Sequence, residues 1–310
     1  MGTQAVVIGE ALTDIIERPG QMDEEHPGGS PMNVAIGLGR LGHPVLLGTW
    51  IGRDPRGQEI AAHCAASQVK LLPGSDQAER TSTALAQVDA DGHAEYTFDL
   101  LWQVPSIPAR LGPLVAHVGS MSAVLEPGAD EIAALLSRAS ANATICYDPN
   151  VRPDIMRAPE SVRARIERLI GLADVVKVST EDIAWLYPQR SEAESCADWL
   201  GRGPAVLILT RGGDGATGWT AGASVDVPAG SSRVADTVGA GDSFMSGFIH
   251  ALWGADLLGA QRREALKQIP KPTLHELLST AAKIAEITCS RPGADPPWLS
   301  ELSQLASSDR

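Results

Sequence analysis

Cysteine, clustered positive charge and long apolar runs are all scarce in this sequence, and each shortage closes off a class of protein. Four of the 310 residues are cysteine, Cys64, Cys146, Cys196 and Cys289, with no CxxC spacing among them. Buried free thiols are therefore expected, rather than a disulfide framework or a zinc site. The seven histidines form no HExxH or comparable ligand pattern. Lys and Arg number 25 against 38 Asp and Glu, a formal net charge of -13. Pairs such as Arg262 with Arg263, or Arg163 with Arg165, are short and read as solvated helix faces. Neither nucleic acid nor a membrane surface is expected as a partner. No apolar run approaches the ~18 residues of a membrane span. The opening "MGTQAVVIGEALTDII" lacks the basic region and apolar segment of a secretory signal. Val6 stands where a myristoylation site after Gly2 needs Ser or Thr. A reducing, cytoplasmic setting is the expectation.

What is present fits an ordinary folded chain: 44% of the residues are hydrophobic, enough for a sizeable core. Short β-rich runs recur at 5–9, 44–52, 83–90, 114–119, 144–148, 175–179 and 205–210, and helix-like segments lie at 33–41, 58–66, 129–139, 160–172 and 192–200. That alternation predicts βαβ units and a parallel sheet covered on both faces. The stretch "STALAQVDADGHAEYTFDL" breaks the rhythm with two strand-like runs around Asp91-Gly92, the pair of a tight hairpin. Such a ribbon on an α/β scaffold reads either as a lid or as a surface hairpin without function. No internal repeat is found, and "PKPTLHE" (270–276) and the terminal "SQLASSDR" read as loop and frayed tail.

The densest chemical signal is "DTVGAGDSF", residues 236–244, followed by an apolar stretch of helical character. Amides in the first turn of a helix lack partners and carry the positive end of its dipole, so Gly239, Ala240 and Gly241 suit an anion cradle. A carboxylate in the same place, Asp242, would repel a resting anion. Phosphoryl transfer reconciles the two: the amides take up charge on the moving group while the carboxylate removes the proton of the attacking hydroxyl. The alternative is that Asp242 or Ser243 merely caps the helix.

The segment resembles the C-terminal signature of the PfkB, or ribokinase-like, carbohydrate kinases, DTxGAGD followed by a small residue and an aromatic. Far upstream, "PGGSPMNVAIGLGRLG" (27–42) resembles the family's GG-x-x-x-N-x-A sugar-binding segment, and "GEALTDII" (9–16) its first strand and the aspartate beyond. The resemblance covers nearly the whole chain. It implies a three-layer α/β fold, with a mostly parallel central sheet, helices on both faces and a small β lid. It also implies one kinase domain over 1–310, with lid segments near 10–33 and 83–104. The activity implied is ATP-dependent phosphorylation of a primary hydroxyl of a monosaccharide, with Mg2+ and, in several members, K+ as companions. The partner is then a small sugar, and a homodimer is left open.

Carried over position by position, the resemblance makes Asp242 the catalytic base and Gly239, Ala240 and Gly241 the anion hole. Asp14, Gly28, Gly29 and Asn33 hold sugar hydroxyls, a set whose donors, acceptors and bare backbone suit a polyol. Asn33 reads equally as the cap of the helix that follows. "LTRGGDGA" (209–216) resembles the strand-to-loop segment over the nucleotide, making Thr210, Gly212 and Gly215 neighbours of ATP. "TCSRPGADPP" (288–297), with Asp236, resembles a monovalent-cation region in which Arg291 and Gly293 match. One motif departs: the family's N-x-x-E falls on "KVSTEDI", giving Ser179 for Asn and Asp182 for Glu. Asp182 can order a metal-bound water, and the adjacent Glu181 competes for the role.

"GLGRLG" (37–42) spells the dinucleotide fingerprint, but it follows "MNVAI", a helix already under way, instead of a strand. Close helix packing accounts for its glycines better than a dehydrogenase does. For the substrate, "YDPNVRP" (147–153) resembles the DxNxR of fructokinases and 2-keto-3-deoxygluconate kinases, and "GGSPMNVA" lies close to the fructokinase GGAPANVA. Arg152 is thus a candidate phosphate or sugar contact, with a surface salt bridge as the alternative. Fructose is the leading substrate and 2-keto-3-deoxygluconate the second. A catalytically silent sugar or nucleotide sensor is the reading outside enzymology.

Overall fold

A computed structural model describes residues 3–89, 94–108 and 111–302. The chain runs through β1 (Ala5–Ile8), β2 (Leu12–Glu17), β3 (Glu24–Gly28), α1 (Ser30–Arg40), β4 (Val45–Gly48), α2 (Pro55–Ala66) and β5 (Val69–Leu71). It continues through β6 (Thr83–Val88), β7 (Ala94–Asp99), β8 (Val115–Gly119), α3 (Gly128–Ala139), β9 (Thr144–Asp148), α4 (Pro153–Met156), α5 (Pro159–Ile170) and β10 (Val175–Ser179). It closes with α6 (Thr180–Leu186), α7 (Glu192–Gly201), β11 (Val206–Thr210), β12 (Ala216–Trp219), β13 (Ser224–Val227), α8 (Ala240–Gly254), α9 (Arg263–Lys267) and α10 (Lys271–Cys289).

Nine strands form one sheet in the order β13-β12-β11-β10-β9-β8-β1-β4-β5. From β5 to β11 the neighbours pair in parallel, while β12 and β13 add an antiparallel edge. β1 is wholly apolar and β8 and β9 largely so, and all three are buried at every position, as a sheet covered on both faces requires. Alternate residues feed two cores. Val7, Val175 and Ile208 join Met32 of α1, Phe248 of α8 and Leu277 of α10 on one face. On the other face Ile8, Val176 and Leu207 meet Ile132 and Leu136 of α3, Ile166 of α5, Ile183 of α6 and Trp199 of α7.

The remaining strands form a separate sheet in the order β3-β2-β6-β7. β2 pairs in parallel with β6, and β3 and β7 flank them antiparallel. The expected ribbon is therefore the β6–β7 pair, whereas its Asp91-Gly92 turn lies outside the described residues, as does the "SQLASSDR" tail. The segment at 10–33 supplies the other half of this small sheet.

Several expectations are corrected. "PKPTLHE" is no loop but the start of α10, since Pro272 is tolerated in a first turn and Leu274, Leu277, Leu278 and Ala281 follow at helical spacing, all buried. The strand expected at 44–52 stops at Gly48. α1 begins at Ser30 with Gly29 as its cap, so Asn33 lies inside the helix and is not a cap. The fingerprint "GLGRLG" occupies the end of α1: a Cβ on Gly37 would lie 2.3 Å from Ser246 Oγ, and one on Gly39 would lie 2.2 Å from the Ser67 carbonyl. These glycines let α1 pack closely, which removes the dehydrogenase reading.

Candidate active site

After β1 the chain turns to one side of the large sheet, toward β4 and β5, and from β8 onward it builds the other side. Beyond the carboxyl ends of such strands an open α/β sheet has its natural crevice. A cleft of about 160 Å³ lies there, lined by Glu10, Asp14, Asn33, Ser120, Arg152 and Asp242 among others. Ala84 and Phe98 of the small sheet complete its wall. This volume lies below the ~300–1,000 Å³ of sites for drug-sized ligands and suits a small polar molecule.

Asp242 sits in the first turn of α8, buried, with 6% of its surface accessible. Gly239 caps that helix at φ 73, with no side-chain capping bond, so neither Asp242 nor Ser243 serves as the cap. The Asp242 carboxylate turns instead to α1: Ser30 Oγ donates to Oδ1 at 2.7 Å and Asn33 Nδ2 donates to Oδ2 at 2.9 Å. Asn150, just past β9, donates to Ser30 Oγ at 2.7 Å. The Ala240 amide donates to the Thr237 carbonyl at 3.2 Å. The cradle that remains is made by the amides of Gly239, Gly241 and Asp242, at the positive end of the helix dipole. Gly239 needs its missing side chain, since a Cβ would lie 2.5 Å from that of Ala294.

Beneath this turn a buried ion pair joins Lys177 of β10 to Asp148 of β9 at 2.8 Å. Lys177 Nζ would lie 3.3 Å from a Cβ on Gly241. Burial alone would lower the pKa of Lys177, but attraction to Asp148, Asp182 and Asp242 outweighs it and the net shift is upward. Burial raises Asp148 to about 6 against the pull of Lys177.

Asp14 projects from β2 and keeps open surface toward the cleft, yet the crowding of protein around its carboxyl raises its pKa to about 6, with Arg152 and His26 pulling it down. Gly28 makes room for it, because a Cβ there would lie 2.0 Å from Asp14 Oδ2. Gly29, at φ 117, leaves room for the Glu10 carbonyl. Glu10 itself was not singled out by the sequence. It is buried in the cleft floor, where Ser122 N–H donates to Oε2 at 3.1 Å, and burial raises it to about 7. Beside it Ser120 holds φ 57, ψ -152, a strained conformation of the kind that gathers at functional sites. Ser30 was likewise missed, and Asn150, the asparagine of the DxNxR stretch, was given no role of its own: the bonds that join the two to each other and to Asp242 span more than ninety residues of sequence, which no local pattern encodes.

The residues expected around a nucleotide gather elsewhere on the same edge. Ser179 and Thr210 face each other in register at the ends of β10 and β11. Gly212, at φ 51, opens onto free space, while Gly215 is required by the fold, since a Cβ there would lie 2.1 Å from the Val227 carbonyl. Asp182 forms a capping box with Ser179 and also accepts from the Val151 amide at 2.7 Å. Glu181 is exposed beside it. Asp236 accepts from the amides of Val238 and Gly293, pinning the approach to α8 against the chain after α10. Arg291 pairs with Glu301 and Asp295. Among the described residues no group of three or more His, Cys, Asp or Glu could hold a metal ion. None of the described helices is long and apolar enough to cross a membrane, and the four cysteines are free.

A large parallel sheet with a polar cleft at its carboxyl edge, closed by a second small sheet, is the ribokinase-like architecture. Residues 3–301 match the pfkB family of carbohydrate kinases, and the chain belongs to that family. It is 32% identical over 280 residues to a fructokinase of Rhizobium leguminosarum bv. trifolii, covering 85% of this chain and 86% of that one. With a fructokinase of Klebsiella pneumoniae the identity is 31% over 255 residues, 79% and 83% of the two chains. The fold is shared with a Xylella fastidiosa fructokinase solved with bound ATP, at TM-score 0.82 and 24% identity over the full length of both. A Vibrio cholerae O395 fructokinase solved with fructose, ADP and calcium aligns at TM-score 0.75 and 26% identity over 94% of each chain.

Proposed function

We propose that this carbohydrate kinase transfers the γ-phosphoryl group of ATP to a primary hydroxyl of fructose, with Asp242 as general base. The observation that carries the reading is the buried Asp242 carboxylate, held by Ser30 and Asn33 in the same helical turn that presents the cradle amides. In the step, Asp242 takes the hydroxyl proton as the sugar oxygen bonds to the γ-phosphorus, the bond to the β-phosphate oxygen breaks, and ADP leaves. Charge on the transferring group falls on the amides of Gly239, Gly241 and Asp242. Asp14 and Asn33 receive sugar hydroxyls, with Gly28 and Gly29 clearing space for them. Ser179, Thr210, Gly212 and Gly215 flank the nucleotide.

Mg2+ fits as a companion of ATP: such ions are held largely by phosphates and water, with one or two protein carboxylates, and here Asp182 and Glu181 are the candidates. It would offset phosphate charge. A monovalent ion such as K+ would lie near Asp236 and Gly293, held by backbone carbonyls. The free thiols suit a cytoplasmic setting. Every residue used lies within one copy of the chain.

Arg152 favours a second reading, since a cation in the cleft wall suits the carboxylate of 2-keto-3-deoxygluconate. The deciding experiment is ADP release by the purified protein with ATP and fructose, ribose, 2-keto-3-deoxygluconate or a nucleoside. Fructose is expected to give the highest kcat/KM. Preference for the keto acid selects the second reading, and no turnover with any sugar overturns both.

A further inference from the structure

The hydrogen bonds that reach Asp242 run in one direction, and chemistry fixes that direction. Arg152 Nη1 lies 2.6 Å from Asn150 Oδ1. A guanidinium only donates, so the atom facing it must be the amide oxygen, which turns the Asn150 nitrogen toward the cleft. That nitrogen lies 2.7 Å from Ser30 Oγ and 3.5 Å from Asp242 Oδ1. Having accepted from Asn150, the Ser30 hydroxyl aims its own proton at Asp242 Oδ1. The loop is also braced from behind: Asn150 holds φ 39, and the next amide, that of Val151, donates to the buried Asp182. A left-handed conformation is uncommon for any residue but glycine, with Asn among the more tolerant.

We propose that Arg152, Asn150 and Ser30 form a one-way hydrogen-bond relay that holds Asp242 as a proton acceptor, making Asn150 and Ser30 positioning residues for phosphoryl transfer. The relay rests on the reading of Asp242 as the base. Donors occupy Oδ1 from Ser30 and Oδ2 from Asn33, which fixes the plane of the carboxylate before the sugar arrives. Arg152 also binds the carbonyls of Asn150 and Val151 through Nη1. The charged groups around Asp242 are Lys177 and Asp148 beneath α8, with Glu10, Asp14 and Arg152 in the cleft wall.

The test uses the purified full chain with ATP and fructose, with a melting temperature for each variant. Asn150→Asp keeps the shape and the acceptor for Arg152 but has no proton for Ser30. It is expected to lower kcat by about 10- to 100-fold while KM for ATP stays within about twofold. Ser30→Ala is expected to lower kcat by about tenfold while KM for ATP and for fructose stays within about twofold, and Ser30→Thr to restore kcat. A purely structural role would lower the melting temperature and raise both KM values along with any fall in kcat. Added to Asp242→Asn, Asn150→Asp should cost little more, because both act on one group. Near-normal kcat in Asn150→Asp or in Ser30→Ala overturns the relay. If Asn150→Asp fails to fold, the kcat of Ser30→Ala and its rescue by Ser30→Thr decide alone. Near-normal turnover in Asp242→Asn would instead overturn the base assignment beneath it.

Discussion

The nine-stranded sheet and the four-stranded sheet meet at one cleft but are built differently. In the large sheet β1, β8 and β9 are buried along their whole length, and the elements around their ends carry Asp148, Asn150 and, through α1 and α8, Ser30, Asn33 and Asp242. In the small sheet β3 is exposed over Glu24, Glu25 and His26, and in β2 Asp14 stands open toward the cleft between buried neighbours. Groups that move a proton need fixed geometry, which a close-packed frame supplies. A group that recognises a hydroxyl can sit on a thinner element. The comparison separates kcat, assigned to the frame, from KM for the sugar, assigned to the small sheet.

The sharpest way to break that division is at Gly239. An alanine there must adopt φ 73 with its Cβ 2.5 Å from that of Ala294, which displaces the first turn of α8. Steady-state kinetics of Gly239→Ala should show kcat lowered by about 100-fold or more, the scale of losing anion-hole donors. On the other side, Asp14→Asn should raise KM for fructose by about tenfold and leave kcat within about threefold, the pattern of lost ground-state binding. A large fall in kcat with KM unchanged would erase the distinction.

Acidity sharpens it further. Crowding of its carboxyl raises Asp14 from 3.8 to about 6, so under the proposed function it would accept sugar hydroxyls as a carboxylate above that pH and lose the ability as pH falls through it. KM for fructose is expected to rise as pH drops below 6, a rise that Asp14→Asn abolishes. The smallest effect is on stability, at the far end of the α1 and α8 pair. There His43 Nε2 lies 2.8 Å from His250 Nδ1 and its ring stacks on Trp253. Burial lowers His43 from 6.5 to about 4, with repulsion from His250 adding to it. The folded chain thus keeps His43 neutral where the unfolded chain protonates it. The stability is full above 6.5 and is lost as pH falls toward 4. Thermal melts should lose a few degrees over that window, and His43→Gln should flatten the slope.

Much of the frame was legible because its signals are local. Strand runs such as "TICYD" alternate with helical segments, and "DTVGAGDSF" carries its glycines and carboxylate within nine residues. The hidden parts depend on distant partners. Ser30 meets Asp242 across 212 positions of sequence, and Glu10 becomes a cleft residue only when β8 lies beside β1. The start of α10 was obscured by prolines that read as loop until the buried leucines after them are counted. At Asp182 the sequence offered a metal-linked carboxylate but did not show that each of its oxygens also accepts a backbone amide, from Val151 and Ser179.

The most direct measurement is the turnover of Asp242→Asn with saturating ATP and fructose. The variant keeps the shape of the side chain but has one carboxylate oxygen replaced by a donor. A fall in kcat of at least ~100-fold with little change in either KM is predicted. Turnover close to that of the unaltered protein would contradict the account.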